Sequence, residues 1–218
     1  MGTVSLSAVA IDELRDAFSG TDAAVARLRS LALATWPPPP RPGPPGNLLD
    51  KLGPFSRRAV GAPVVRPGVP TGRDVDDVAH GRDVAPDRLE AAWALVDLWL
   101  ADAAWGRLAV EIDDRALDAL DFALAFAGVP ARLALRPAFN GETGIPVKPL
   151  PGMATGYVRG GHAAAMASAW AVALPGVDAD HRELAARVAT WLARFPDWEE
   201  QATRCGRPGP DLVVVYRP

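Results

Sequence analysis

The run Tyr157, Arg159, Gly160, Gly161 and His162 holds the residue types best suited to gripping an anion. Glycines ahead of a helix leave backbone N–H groups pointing at one spot, and the helix dipole and an arginine add positive potential there. His162 would supply an acid–base group near neutral pH. Asn140, Glu142, Thr143 and Lys148 belong to the same long loop. A plainer reading stands beside this one. His162 falls on a helical stripe with Met166, Ala169 and Ala173, where a histidine packs and hydrogen-bonds. The pattern matches neither a P-loop nor a dinucleotide fingerprint.

A second cluster comprises Asp74, Asp76, Asp77, His80 and Asp83. Carboxylates two residues apart with a nearby histidine suit Mg2+ or Mn2+. The calcium-loop pattern fails at Val78, and an acidic run after a basic segment more simply forms a solvated loop that balances charge. Cys205 has Arg204 and Arg207 as neighbours that would favour a thiolate, but nothing supplies a base. No Gly-x-Ser-x-Gly elbow or His-Glu-x-x-His pair occurs. These residues assign no catalytic group, no metal site and no cofactor.

The elements that must position such groups follow from periodicity. Thr3 to Ala10 alternates apolar and small polar residues, which predicts a half-buried strand. Asp12 is placed to cap a short helix ending at Ser19, and Thr21 to cap the next, whose inward stripe is Val25, Leu28, Leu31 and Ala32. Pro37 to Gly46 cannot donate a ladder of hydrogen bonds and reads as a proline-rich strap, a stiff linker or a ligand for a proline-recognising module. Residues 51–86 read as an irregular arm, with Val64 and Val65 at most an edge strand. Lys51, Arg57, Arg58, Arg66 and Arg73 make its first part basic, suited to an acidic partner surface.

Asp87 to Ala104 predicts a helix with Leu89, Trp93, Val96 and Leu100 inward. A strand over Arg107 to Ile112, a helix capped by Asp113 and a strand over Ala131 to Leu135 predict a right-handed crossover between parallel strands. In that helix Leu117, Leu120 and Leu124 turn inward and Asp114, Asp118 and Asp121 outward. Pro137 to Gly161 reads as a long loop, followed by helices over His162–Leu174, Asp180–Phe195 and Asp197–Cys205. Leu212 to Tyr216 is a continuous apolar strand, so it belongs between neighbours. Most of the tryptophans fall in or beside these helices as packing residues.

The expected fold is α/β, with mixed α+β as the alternative. It has a single sheet of about four or five strands packed by helices, and the 218 residues form one domain (1–218) with the proline-rich strap and irregular arm inside it. A formal net charge of -3 excludes the usual nucleic-acid binder. One cysteine excludes an internal disulfide. The N-terminus has no signal-peptide pattern, and no run of roughly 18 apolar residues marks a membrane span. Cytoplasm is the expected location, and the excess of arginine, alanine, glycine and proline points to a high-GC bacterium.

The run Gly61-Ala-Pro-Val-Val-Arg-Pro-Gly-Val-Pro-Thr-Gly-Arg-Asp-Val75, the tryptophan-bearing helix and Gly156-Tyr-Val-Arg159 resemble an uncharacterised actinobacterial family of unknown function. The resemblance spans most of the chain and implies bacterial origin and single-domain organisation. It transfers no activity and no functional residue. The resulting expectation is a cytoplasmic binding or interaction protein, regulatory or immunity-type, without catalysis of its own. Its partner would be a protein or a small anionic ligand, with oligomeric state open. The alternative is a small enzyme for an anionic substrate, with Arg159 as clamp and His162 as acid–base group. Convergence of Arg159, His162 and an acid on one cleft separates the two.

Overall fold

Both ends of the chain lie side by side in one antiparallel sheet. The computed structural model describes residues 2–37 and 66–218. In chain order the elements are β1 (Thr3–Val9), α1 (Ile11–Asp16), α2 (Asp22–Thr35), α3 (Gly72–Ala79), α4 (Leu89–Ala103), β2 (Gly106–Glu111) and α5 (Asp114–Phe126). They continue with β3 (Ala154–Val158), α6 (Gly160–Ala173), α7 (Ala179–Leu192), α8 (Phe195–Arg204) and β4 (Asp211–Arg217). The strand order is β2-β1-β4-β3. Leu6 faces Leu108 on one side and Val214 on the other, and Gly156 completes the row beyond Val214.

Helices cover both faces of this sheet. Val4, Leu6, Ala8, Leu212, Val214 and Tyr216 join a core supplied by α5 to α8. Val9, Val213 and Val215 join a second core supplied by α1 to α4. Fully burying a leucine-sized side chain stabilises by about 2 kcal/mol, and Leu6, Leu28, Leu95, Leu120 and Trp170 are all sealed from solvent. The fold is therefore mixed α+β, one four-stranded sheet packed by helices. β4 lies between β1 and β3, as its unbroken apolar run requires. β1, in contrast, is not half-exposed: even Ser7 is only 2% exposed, because its small polar face lies against the second layer.

Three expectations need correction. Ala131 to Leu135 is no strand. Pro130 opens a short 3-10 turn over Ala131–Leu133, and the N–H groups of Leu135 and Arg136 go to the Asp121 carboxylate, each at 2.8 Å. Turn and side-chain acceptors thus take the hydrogen bonds a strand would have made, and the parallel crossover disappears. Asp121 faces this turn, not water; burial raises its pKa, against the lowering effect of the two backbone donors. Second, the loop over Pro137–Gly161 contains β3. Its small residues let another segment come close: a Cβ on Gly156 would collide with the backbone of Ala138 and Phe139. Third, the N-cap of α1 is Ala10, two residues before the expected Asp12, and no side chain caps the helix. Thr21 and Asp113 do cap α2 and α5.

The arm also contains order that was not expected. Thr71 and Asp74 form a reciprocal capping box that starts α3, and Asp74 accepts two hydrogen bonds from Arg88, at 3.1 and 2.5 Å. Residues 38–65, which include most of the strap, the Val64–Val65 strand and most of the basic segment, lie outside the described residues.

Asp74 is 5% exposed. Burial raises its pKa, but the hydrogen bonds from Arg88 and Thr71 outweigh that and leave it lowered. Its stabilising contribution is complete above the unfolded carboxylate pKa, about 3.9, and is lost as pH falls through the lower folded value. We expect Asp74→Ala to cost about 3 kcal/mol at pH 7 in urea denaturation, and the deficit to shrink below pH 3. An equal deficit at both pH values would contradict this origin.

Candidate functional site

Asp211 opens β4 and is 5% exposed. Its Oδ2 accepts from the N–H of Ile11 at 3.0 Å and from Arg159 Nη1 at 3.1 Å, and its Oδ1 from the N–H of Gly160 at 3.1 Å. One carboxylate therefore joins the first N–H of α1, the first N–H of α6 and a guanidinium. The glycine-led helix start does attract an anion, but that anion belongs to the chain. Gly160 is needed for this approach, since a Cβ there would strike the Pro210 carbonyl. The next N–H but one, of His162, turns back to the Arg159 carbonyl at 2.8 Å. Of the backbone cradle expected over Gly160 and Gly161, the Gly160 N–H is thus taken by Asp211.

The side chains of that run open instead on a groove of about 480 Å3 lined by Arg15, Glu142, Tyr157, Arg159 and His162. Two guanidiniums attend the Tyr157 ring, Arg15 at 5.6 Å and Arg159 at 5.7 Å from its centroid. Each is held from within. Arg15 donates to the carbonyls of Glu142 at 2.8 Å and Thr143 at 3.2 Å, and Arg159 to Asp211. Each keeps further N–H donors for solvent, Arg159 being 62% exposed at the side chain. Arg15 approaches Asp12 only at 3.8 Å.

His162 is partly exposed. Its Nε2 lies 2.9 Å from the Arg132 carbonyl. A carbonyl only accepts, so Nε2 carries a proton toward it. His162 is not sealed among Met166 and Ala169: it lies in the first turn of α6, whereas Ala163 and Met166 are buried. Of the loop residues, Glu142 joins the groove and Thr143 is buried behind it. Asn140 is exposed, and Lys148 turns to Asp83 at 3.5 Å.

Comparison with family models, with curated proteins and with solved structures finds no match to this chain. The groove's chemistry therefore rests on its own geometry.

The acidic cluster is dispersed by arginines. Asp76 pairs with Arg29, Asp77 with Arg73 and Arg82, and Asp74 with Arg88. His80 Nδ1 meets the Asp76 carbonyl at 2.7 Å. Among the described residues no three His, Cys, Asp or Glu side chains come together as a metal site. Cys205 is exposed, while Arg204 pairs with Glu200 and Arg207 with Glu13. No described helix is long and apolar enough to cross a membrane.

Sequence reasoning missed Arg15 and Asp211. Asp211 had a readable signal, a carboxylate between Pro210 and an apolar strand, where a buried acid requires donors. Arg15 had none, since its partners lie 127 and 128 residues away. Asp211→Ala would leave the buried Ile11 N–H and the Gly160 N–H without an acceptor. We expect it to cost about 3–5 kcal/mol in denaturant unfolding, and Asp211→Asn about half as much. A loss under 1 kcal/mol in the alanine variant would remove Asp211 as the junction.

Proposed function

We propose that the protein is a non-catalytic binding protein, regulatory or immunity-type, that captures an anionic group in the groove between Arg15, Tyr157, Arg159 and His162. One observation carries this reading: two guanidiniums lie 5.6 and 5.7 Å from the Tyr157 ring centroid, each is fixed from inside, and both line the groove. Guanidinium donors prefer carboxylate and phosphate oxygens. Their fixed positions reduce the ordering cost that flexible arginines would bring to binding. The single cysteine supports action in a reducing cytoplasm, and the arginine bias supports membership of the actinobacterial family that residues 61–75 and 156–159 resemble.

A second reading is favoured by Glu142. Its presence with Arg159 and His162 on one groove is the convergence expected of a small enzyme acting on an anionic substrate. Against catalysis, the groove is lined by no serine, threonine or cysteine nucleophile.

Isothermal titration with pyrophosphate and with citrate tests the binding reading. At least one should bind at low ionic strength, and Arg15→Ala and Arg159→Ala should each weaken it about tenfold or more. Circular dichroism confirms folding of both variants. Absence of binding at millimolar ligand, or binding indifferent to both substitutions, would overturn the proposal. Turnover of a bound phosphoanhydride abolished by His162→Ala would transfer the site to the enzyme reading.

A further inference from the structure

The sheet has two edges, β2 and β3. A 3-10 turn over Arg136–Asn140 packs against β3, so close that Gly156 tolerates no Cβ. Among the described residues nothing pairs with the outer side of β2. An open notch of about 520 Å3 runs along it, between Ala109, Val110 and Glu111 of the strand and Glu183 and Arg187 of α7.

The phase of β2 is set by its pairing with β1. The N–H of Ile112 donates to the Gly2 carbonyl at 2.9 Å, and alternation from there turns the backbone groups of Arg107, Ala109 and Glu111 away from β1. The Ala109 carbonyl agrees, since it accepts from Arg187 Nη2 at 3.0 Å, outside the sheet. Arg107, Ala109 and Glu111 are also the exposed side chains of the strand, whereas Val110 is buried and Leu108 partly so. An unpaired edge of this kind is a template for another strand.

Its sequence, Arg107-Leu108-Ala109-Val110-Glu111, is charge-complementary to its own reverse. An antiparallel copy centred on Ala109 places Arg107 opposite Glu111 of the second copy, and Glu111 opposite its Arg107. Leu108 meets Val110. This register brings outward-facing N–H and C=O groups together along the whole contact. Shifted by one residue, they would no longer oppose one another. With the centre at Arg107 or Glu111, like charges would meet, which disfavours those pairings.

We propose that a second copy of this chain docks along β2, forming a twofold dimer whose two four-stranded sheets join into one of eight strands. Self-complementary charge at the edge favours a copy over an unrelated strand. Arg187 releases the Ala109 carbonyl to the incoming N–H, and Glu183, one turn earlier on α7, receives its guanidinium.

Sedimentation of the full chain over a wide concentration range tests the dimer. Wild type should associate. Arg107→Glu or Glu111→Arg sets two like-charge pairs in the interface and should raise the dimer dissociation constant about tenfold. The double variant R107E/E111R restores opposite charges and should recover wild-type association. Hydrogen exchange adds a measurement on unaltered protein: the amides of Ala109 and Glu111 should gain protection as concentration rises. A monomer at every concentration, a dimer whose constant ignores the single changes, or a double variant no better than the singles would each overturn the proposal.

Discussion

The two helical layers of the molecule meet at the buried carboxylate of Asp211. Burying an unpaired Asp would cost several kcal/mol, and Asp211 is nearly sealed. Three charge-assisted hydrogen bonds, to Ile11, Gly160 and Arg159, offset that cost. These contacts tie residues 200, 52 and 51 positions apart, so the chain's N-terminal layer and its C-terminal layer meet at one charge. The same contacts decide what kind of site lies next to it. The dipole of α6 is already neutralised from within, and the groove's positive character comes from side chains alone.

Around that junction the sheet acts as a partition. β1 and β4 are central and pair along seven residues, and each sends alternate side chains into separate cores. An antiparallel sheet need not be covered on both faces; here it is, because helical segments both precede and follow β2 in the chain. Covering the faces leaves exposure only at the edges. The β2 edge carries an alternation of charge and apolar contact that an edge strand can use for recognition or for self-protection. Arg187, reaching over to the Ala109 carbonyl, holds that edge in the single chain.

Periodicity made most elements legible, because it reports burial directly. α4, α5, α7 and β4 stand close to where their apolar spacing put them, and Thr21 and Asp113 cap as their side-chain chemistry suggests. What was not legible involved competition for backbone hydrogen bonds. Leu133, Ala134 and Leu135 are buried in succession, as a strand would be, yet Asp121 and a local turn claim their donors. β3 escaped notice because Ala154 and Gly156 carry little β-propensity; their value lies in letting the 136–140 turn approach. Of the candidate run 157–162, Tyr157, Arg159 and His162 line one groove, whereas the Gly160 N–H of the expected backbone cradle is taken by Asp211. Detecting that required knowing that Asp211, some fifty positions downstream, folds back onto Gly160.

The groove's inner hydrogen bonds also constrain what enters it. Arg15 and Arg159 are anchored by carbonyls and a carboxylate, so their remaining donors would be held in place for the anion proposed above. His162 adds a second polarity: Nε2 is engaged by the Arg132 carbonyl, and Nδ1, when unprotonated, is an acceptor. Glu142 adds another acceptor at the rim. A fully ionised, donor-free anion would satisfy the arginines and leave these acceptors facing negative charge. A group that carries both oxygens and a hydroxyl or N–H satisfies all four side chains at once. Under the binding function proposed above, a hydroxy acid or a monoprotonated phosphate has that combination; the phosphate loses its proton as pH rises, so its affinity would fall, whereas the alcohol of a hydroxy acid keeps its proton.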